Sequence, residues 1–324
     1  MEFRTLGRTG LKVSLVGLGA GGASLLGLGT GGTEAEAIAV VHRAIELGIN
    51  YFDTAEMYGT EEVLGRGLDG HRGEAVLSSK RDPRRADGSL CDALGLREEL
   101  EASLARLRTD HLDVYHLHRV KTEDYAYCVT ELLPALERAR AAGLVRFLGI
   151  SESSGGDARH EMLGRAVTDN LFDVVMVGFN LFNQSARERV LPGAIDREIG
   201  VEIVTAARTE FSNERLLAEA TMRLFEAGEV TEAASGTSGT TRADPLAYLH
   251  GSEGRLAVTE VSYRFAAAEP GVHTVLVGTG NLDHLEENVA ALGAGPLPPL
   301  VHEELLQRFG HLALRAQVPG RFLR

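Results

Sequence analysis

The chain has 324 residues, 44% hydrophobic and 24% charged, a balance that excludes a wholly disordered polymer. Its 33 basic and 46 acidic residues leave a net charge of −13, which works against binding a duplex or an anionic lipid surface. No run reaches the ~18 consecutive apolar residues of a spanning helix, and the opening Met1–Thr9 carries no signal-peptide core. The two cysteines, Cys91 and Cys128, cannot build a disulfide framework or a four-ligand zinc site and read as free thiols. The expectation is a soluble, cytoplasmic α/β enzyme without nucleic-acid or membrane partners.

Phe3–Leu6 and the apolar run Leu11–Gly17 flank Arg8-Thr9-Gly10, a pattern for an N-terminal hairpin turned by Gly10. A glycine-crowded stretch, Gly17 to Gly32, leads to Thr33-Glu34-Ala35-Glu36, whose Thr-x-x-Glu spacing predicts a capping box. A helix follows to about Leu47, with Ile38, Val41, Ala44 and Ile45 on one face, and ends at Gly48. The pattern then repeats. Expected strands are Asn50–Asp53, Ala75–Ser79, Leu112–Leu117, Phe147–Ile150, Asp173–Val177, Val201–Thr205 and Thr274–Val277. Expected helices are Glu61–Leu68, Gly95–Leu107, Thr130–Ala141, Ala158–Thr168, Ala186–Glu198, Glu214–Glu226, Ala257–Ala268 and Leu282–Leu292. With Leu11–Gly17 or its continuation as the first strand, eight strands alternate with helices and no linker divides them. That arithmetic predicts one (β/α)₈ TIM barrel domain over 1–324, with an insertion at about 209–254. Ala234–Thr241 (ASGTSGTT) within it reads as a mobile surface insert, with an active-site flap as the alternative.

Gly17-Leu18-Gly19-Ala20-Gly21-Gly22 matches G-x-G-x-x-G after a strand. The next helix begins about ten residues on, and the acid Asp53 lies 31 residues from Gly22 instead of ~20. The glycines therefore read as a loop at the top of the first strand. Four reactive residues carry more weight: Asp53 ends its strand, Tyr58 follows it, Lys80 ends Val76–Lys80 and His118 ends Leu112–His118. Singly, each has an ordinary reading as a cap, a packing residue, a solvated lysine or a core histidine. Together, in order at strand ends, they would converge on the C-terminal rim where barrel enzymes place their chemistry.

With these residues in view, the sequence resembles the aldo-keto reductase family over nearly its whole length. Met1–Gly19 resembles the family's opening hairpin and first strand, and Ala44–Gly59 (AIELGINYFDTAEMYG) its most diagnostic motif. Leu112–His118, Gly143–Ser151 (GLVRFLGIS) and Val275–Asn288 (VLVGTGNLDHLEEN) are similar to later landmarks. The resemblance implies reduction of an aldehyde or ketone by an NAD(P)H cofactor, with Asp53, Tyr58, Lys80 and His118 as the catalytic tetrad. Chemistry fits those roles: a phenol, ordinarily near pKa ~10, can give the proton, and an ammonium beside it favours the phenolate. Asp53 would hold Lys80, and His118 would bond the carbonyl oxygen. No metal is expected.

The resemblance also implies a cofactor stretched across the barrel mouth, over Gly19 and Ala20, with Asp53 beside it and Ser151 at the carboxamide. Glu152, Met176 and Ala206 stand where the family usually has Asn, Gln and a stacking aromatic. The phosphate end falls on Gly278, Thr279, Gly280, His284, Glu287 and Asn288. A Lys and an Arg usually stand at the positions of Gly278 and His284, so NADP(H) is implied first, and NAD(H) is admitted by the uncharged loop. Asp283 and Glu287 oppose a 2′-phosphate, and Arg208 could offset them. Substrate contacts are expected from Ser24–Gly32, Arg119–Tyr127 and Thr209–Gly254. Tyr125, Tyr127, Phe179, Phe182 and Phe211 could line a pocket, although packing is their commoner use. His118, where enone-reducing members carry Glu, favours carbonyl reduction. A monomer or weak oligomer is expected by analogy. Three rival readings are a catalytically weak cofactor-binding regulator, a Rossmann dehydrogenase built on Gly17–Gly22, and a Schiff-base enzyme using Lys80.

Overall fold

The computed structural model describes residues 1–153, 156–207, 211, 213–230, 240–251 and 254–313. The chain opens with an antiparallel hairpin, β1 (Phe3–Thr5) on β2 (Lys12–Ser14), whose turn ends at Gly10 with φ of 71°. The apolar run Leu11–Gly17 is thus shared between the hairpin and the first barrel strand. That strand, β3 (Val16–Gly19), is followed round the barrel by β4 (Tyr51–Asp53), β5 (Val76–Arg81), β6 (Leu112–Val120) and β7 (Val145–Glu152). Then come β8 (Val174–Gly178) and β9 (Gly200–Val204). After a short pair, β10 (His250–Gly251) and β11 (Gly254–Arg255), strand β12 (Thr274–Val277) returns to β3, matching Val275 to Val16. Every ladder in the barrel is parallel and closed, which leaves no free edge; this is the (β/α)₈ barrel expected.

The outer layer comprises α1 (Glu34–Glu46), α2 (Glu61–Gly67), α3 (Ala93–Leu107), α4 (Tyr125–Tyr127), α5 (Leu133–Ala141) and α6 (Glu161–Asp169). It continues with α7 (Ala186–Arg189), α8 (Leu191–Asp196), α9 (Glu214–Glu226), α10 (Val258–Ala267), α11 (Leu282–Gly293) and α12 (Pro299–Phe309). The capping box on α1 is present: Thr33 Oγ1 accepts from the Glu36 amide and Glu36 Oε2 accepts from the Thr33 amide. The buried face of α1 is Ala37, Val40, Val41 and Ala44, so Ile38 and Ile45 sit at its margin and not at its centre. The expected helix Ala186–Glu198 breaks at Val190, because Pro192 cannot donate to a preceding carbonyl and its ring crowds the turn.

The expectations omitted α12. Its signal is present, with Pro299 in the first turn and Val301, Leu305 and Phe309 four apart on a buried stripe. Phe309 packs 4.9 Å from Phe182 and 5.3 Å from Tyr248, centroid to centroid, and Phe182 lies 5.0 Å from Phe211. The part of the insertion around Leu246–Leu249 is therefore docked core, not loose surface; Ala234–Gly239 lie outside the described residues. Phe179, Phe182 and Phe211 likewise serve packing.

At the N-terminal end of the barrel, Leu6, Leu11 and Val13 from the hairpin join Tyr51, Val76, Val114 and Val174 in one buried cluster. This plug closes the bottom, so the polar lumen above it opens only at the C-terminal rim. Among the described residues, no helix is long and apolar enough to cross a membrane.

Candidate active site

The rim brings the four reactive residues together. Lys80 Nζ lies 2.6 Å from each oxygen of Asp53 and donates to the Thr54 carbonyl at 2.8 Å. These two side chains come from adjacent strands, β5 and β4, and both are buried. Tyr58 sits on a single turn of 3₁₀ helix, Glu56–Tyr58, just past β4, with its ring centroid 5.1 Å from Lys80 Nζ. Its hydroxyl is 3.3 Å from His118 Nε2, and the two rings meet edge to face. Tyr58 remains half-buried and faces the mouth.

Burial is the largest influence on the Lys80 ammonium and works against it, but the charge of Asp53, then Tyr58, the Asp53 hydrogen bond and Glu202 together outweigh it, and Lys80 stays above its ordinary value. Burial pushes the Asp53 carboxyl upward; Lys80 pulls it back and Glu202 adds to the rise. Burial, then the positive charges of Lys80 and Arg119 and nearby His116, holds His118 well below the usual histidine range. His118 is therefore a neutral imidazole at pH 7, and its Nδ1 has no hydrogen-bond partner among the described residues.

Three loops frame the mouth. Gly21 carries the Tyr58 ring: a Cβ there would approach Tyr58 Cε2 to 2.4 Å. Gly280, in the loop after β12, lies against the loop after β3, where its Cβ would fall 2.1 Å from Gly27 Cα. The loop after β6 is fastened: Arg84 holds Asp124 at 2.6 and 2.7 Å, Tyr125 bonds Asp169 and Tyr127 bonds the Cys91 carbonyl. Just before it, near the end of β6, Arg119 adopts φ of 54°, and its amide donates to Ser151 Oγ at 2.9 Å.

The residues expected at the cofactor fall around this mouth. Gly19 stands opposite Asp53 in register, and the Ala20 amide donates to the Asp53 carbonyl at 2.7 Å. Ser151 and Met176 are buried register partners on β7 and β8, and Ala206 is buried just past β9. Glu152 accepts from the Gly178 amide at 3.0 Å, and both its oxygens lie within 2.9 Å of His160 Nδ1. Gly278, Thr279 and Gly280 precede α11, whose Asn281 cap accepts from the His284 amide at 3.0 Å. His284 and Glu287 are exposed on its first turns, with Asn288 half-buried beside them. Arg208 lies outside the described residues.

This rim fits a dinucleotide. Gly278 and Thr279 lie just before a twelve-residue helix whose amide end favours phosphate. It offers a 2′-phosphate little, because Gly278–Asn288 holds no Lys or Arg, and the nearby Arg43 is bonded to Glu286 at 2.9 Å. The G-x-G-x-x-G run spans the end of β3 and the loop after it and is not a Rossmann turn, since α1 starts only at Glu34.

A closed barrel with a buried Lys–Asp pair, a phenol and an imidazole at its C-terminal mouth is the architecture of a nicotinamide-dependent oxidoreductase of the barrel class. The profile of the Aldo/keto reductase family matches residues 17–307. The chain belongs to that family and is an NAD(P)H-dependent oxidoreductase. It is similar to L-galactose dehydrogenase of Arabidopsis thaliana, 31% identical over 299 residues, covering 90% of this chain and 88% of the relative. It is also similar to the oxidoreductase YqkF of Bacillus subtilis, 29% identical over 302 residues, covering 91% and 92%. Among solved structures, aldo-keto reductase AKR11C1 of Bacillus halodurans in its holo form superposes with a TM-score of 0.71 at 23% identity, covering 95% and 96%.

The strand-end reading found the four reactive residues but missed the polar layer beneath them, Tyr51, Ser78, His116 and Glu202. A signal existed for the first three: polar residues two positions before Asp53, Lys80 and His118 share their face of the barrel.

Proposed function

We propose that this protein reduces an aldehyde or ketone to the alcohol, with Tyr58 as the general acid. The observation that supports this reading is the Tyr58 hydroxyl 3.3 Å from neutral His118 while Lys80, held by Asp53, stands 5.1 Å from the phenol ring. When bound, NAD(P)H supplies the hydride. Tyr58 gives its proton to the carbonyl oxygen, and the neighbouring ammonium stabilises the phenolate left behind. Neutral His118 orients that oxygen by hydrogen bonding. Gly19, Ala20, Ser151 and the Gly278–Asn288 loop would hold the dinucleotide, NADP(H) first by family resemblance, with NAD(H) accepted because the loop carries no basic side chain. The 31% identity to L-galactose dehydrogenase supports a polyhydroxylated carbonyl within the substrate range. We place the chemistry in one cytoplasmic barrel domain, a monomer or weak oligomer, with an insertion at about 209–254.

A second reading, a cofactor-binding regulator with little turnover, draws support from Glu152 and Met176. Glu152 is engaged by His160 and Gly178, and a thioether donates no hydrogen bond to a carboxamide. Following NADPH and NADH absorbance with a reactive aromatic aldehyde separates the two. Oxidation that Tyr58→Phe removes supports the reductase. Cofactor binding without oxidation across a carbonyl panel supports the regulator.

A further inference from the structure

Tyr58 and Lys80 belong to different segments, and the turn that carries Tyr58 has little to hold it in place. Beyond β4 the chain makes one turn of 3₁₀ helix, Glu56–Tyr58. The Tyr58 amide donates to the Ala55 carbonyl at 3.0 Å and the Gly59 amide to the Glu56 carbonyl at 3.3 Å. A single turn is not stable alone, because two hydrogen bonds do not offset the backbone freedom it gives up. Burial adds little: Met57 at its centre is 49% exposed and meets Arg119 only at 3.8 Å. The Thr54 and Thr60 hydroxyls, 2.9 Å apart, close the loop around the turn but do not touch β5.

Glu56, the first residue of that turn, makes the missing link: its carboxylate pairs with Arg81, the residue after Lys80 on β5. Strand alternation sends the two cations to opposite faces, Lys80 inward to Asp53 and Arg81 outward to Glu56. Consecutive cations on β5 thus engage two acids three residues apart, one ending β4 and one opening the Tyr58 turn. The Arg81 and Glu56 side chains are 17% and 21% exposed, which sets the pair apart from solvated surface pairs of little worth. Among the described residues neither has a substitute: the buried Arg81 Nε and Glu56 Oε2 have no other hydrogen-bond partner. Glu99, the next carboxylate whose charge reaches Arg81, is engaged by Arg106.

We propose that the Arg81–Glu56 ion pair is a strap that seats the Tyr58 ring over Lys80. Both are positioning residues: they act through the turn and touch no reacting atom. The consequence for turnover rests on the proposed reductase chemistry; the seating of the ring does not.

Lys80 Nζ stands 5.1 Å from the Tyr58 ring centroid, so the ring current of Tyr58 reaches the Lys80 ε-methylene. The chain has three lysines, and the exposed Lys12 and Lys121 serve as references in ¹H–¹³Cε NMR. Tyr58→Leu identifies the Lys80 resonance and marks its position without the ring. Glu56→Gln and Arg81→Gln each move it about halfway or more toward that mark, and the references stay in place. The double variant moves it no further than either single one, as two residues acting through one contact require. With a carbonyl substrate each single variant lowers kcat about tenfold and leaves the cofactor KM within about twofold. If Arg81→Gln does not fold, Glu56→Gln on the turn carries the test alone. A Lys80 resonance unmoved by the single variants, shifts that add in the double variant, or a Tyr58→Leu spectrum identical to wild type at all three lysines overturns the strap. A wild type that reduces no carbonyl overturns the reductase reading, while the Lys80 resonance still decides the seating of Tyr58.

Discussion

The Tyr58 ring rests directly on the backbone of Gly21, where a Cβ would stand 2.4 Å from Cε2 and 2.7 Å from Cζ. The neighbouring Gly22, at φ of 74°, has no atom within 4 Å of its would-be Cβ. The two glycines therefore fail in different ways. Gly21→Ala displaces a half-buried phenol and lowers kcat at least about tenfold with little change in stability, since small misplacements of a reacting group are expensive. Gly22→Ala strains the backbone by about 1 kcal/mol and spares kcat. Steady-state kinetics beside thermal melts of both variants test this; equal kcat losses in the two would refute the Tyr58 assignment to Gly21.

Tyr58→Phe removes one oxygen from a half-buried ring that keeps its packing on Gly21. Carbonyl-dependent oxidation of NAD(P)H falls by about 10²–10⁴-fold while cofactor affinity holds, the size of effect general acids show. Single-turnover absorbance and fluorescence titration of the cofactor read the two quantities separately.

Lys80 and Asp53 are each almost fully enclosed, so removing either strands the other's charge. Lys80→Met and Asp53→Asn are each expected to cost about 3–5 kcal/mol of unfolding free energy, and the double variant less than their sum. Urea unfolding of the three proteins gives the coupling. Activity stays lost in the double variant, because the ammonium near Tyr58 is gone.

Two histidines make opposite contributions to the pH dependence of stability. His160 is raised from 6.5: burial lowers it, but the charge and hydrogen bond of Glu152, with Asp157 and Asn183, together outweigh burial. Its pairing energy is fully present below pH 6.5 and fades as pH rises through the folded value. His118 is lowered from 6.5, so as pH falls below 6.5 the unfolded chain takes up a proton that the folded chain refuses, and stability declines. The stability gap between wild type and His160→Gln should therefore be widest near pH ~5.5 and narrow by pH ~8.5, while His118→Asn flattens the acid-side loss. Melting temperatures across that range measure both.

The loop Gly278–Asn288 presents His284 and several acids with no arginine or lysine. His284→Arg, on the exposed first turn of α11, is expected to shift the NADPH-to-NADH ratio of kcat/KM toward NADPH by about tenfold, the scale of one charge-assisted phosphate contact. Paired kinetics with the two cofactors decide it; an unchanged ratio would place the 2′-phosphate elsewhere.

Much of the barrel was legible because its repeat is local. β-branched runs, caps and glycine stops recur at a steady spacing, and the Thr33–Glu36 box can be read from four consecutive residues. The chemistry at the rim was legible for the same reason: a parallel barrel sends every strand end to one face, so Asp53, Lys80 and His118 needed only their position at strand ends. The break at Val190 was also written locally, in Pro192, although the periodicity on either side concealed it.

Closure of the barrel decided the rest. Glu202 lies 151 residues from Tyr51 and 86 from His116, and nothing in VEIV distinguishes an inward glutamate from an outward one. Register sets the side, and register depends on how eight strands tilt to meet β3 again. The seating of Tyr58 on Gly21, the lodging of Gly280 on Gly27 and the docking of Phe309 against Phe182 and Tyr248 are likewise contacts between segments that the sequence keeps apart. By itself the sequence determined which groups could react and that they gather at one end. Only the tertiary structure decided their distances and the buried charges beneath them, because burial and Coulomb interaction depend on separation in space, which a local pattern does not carry.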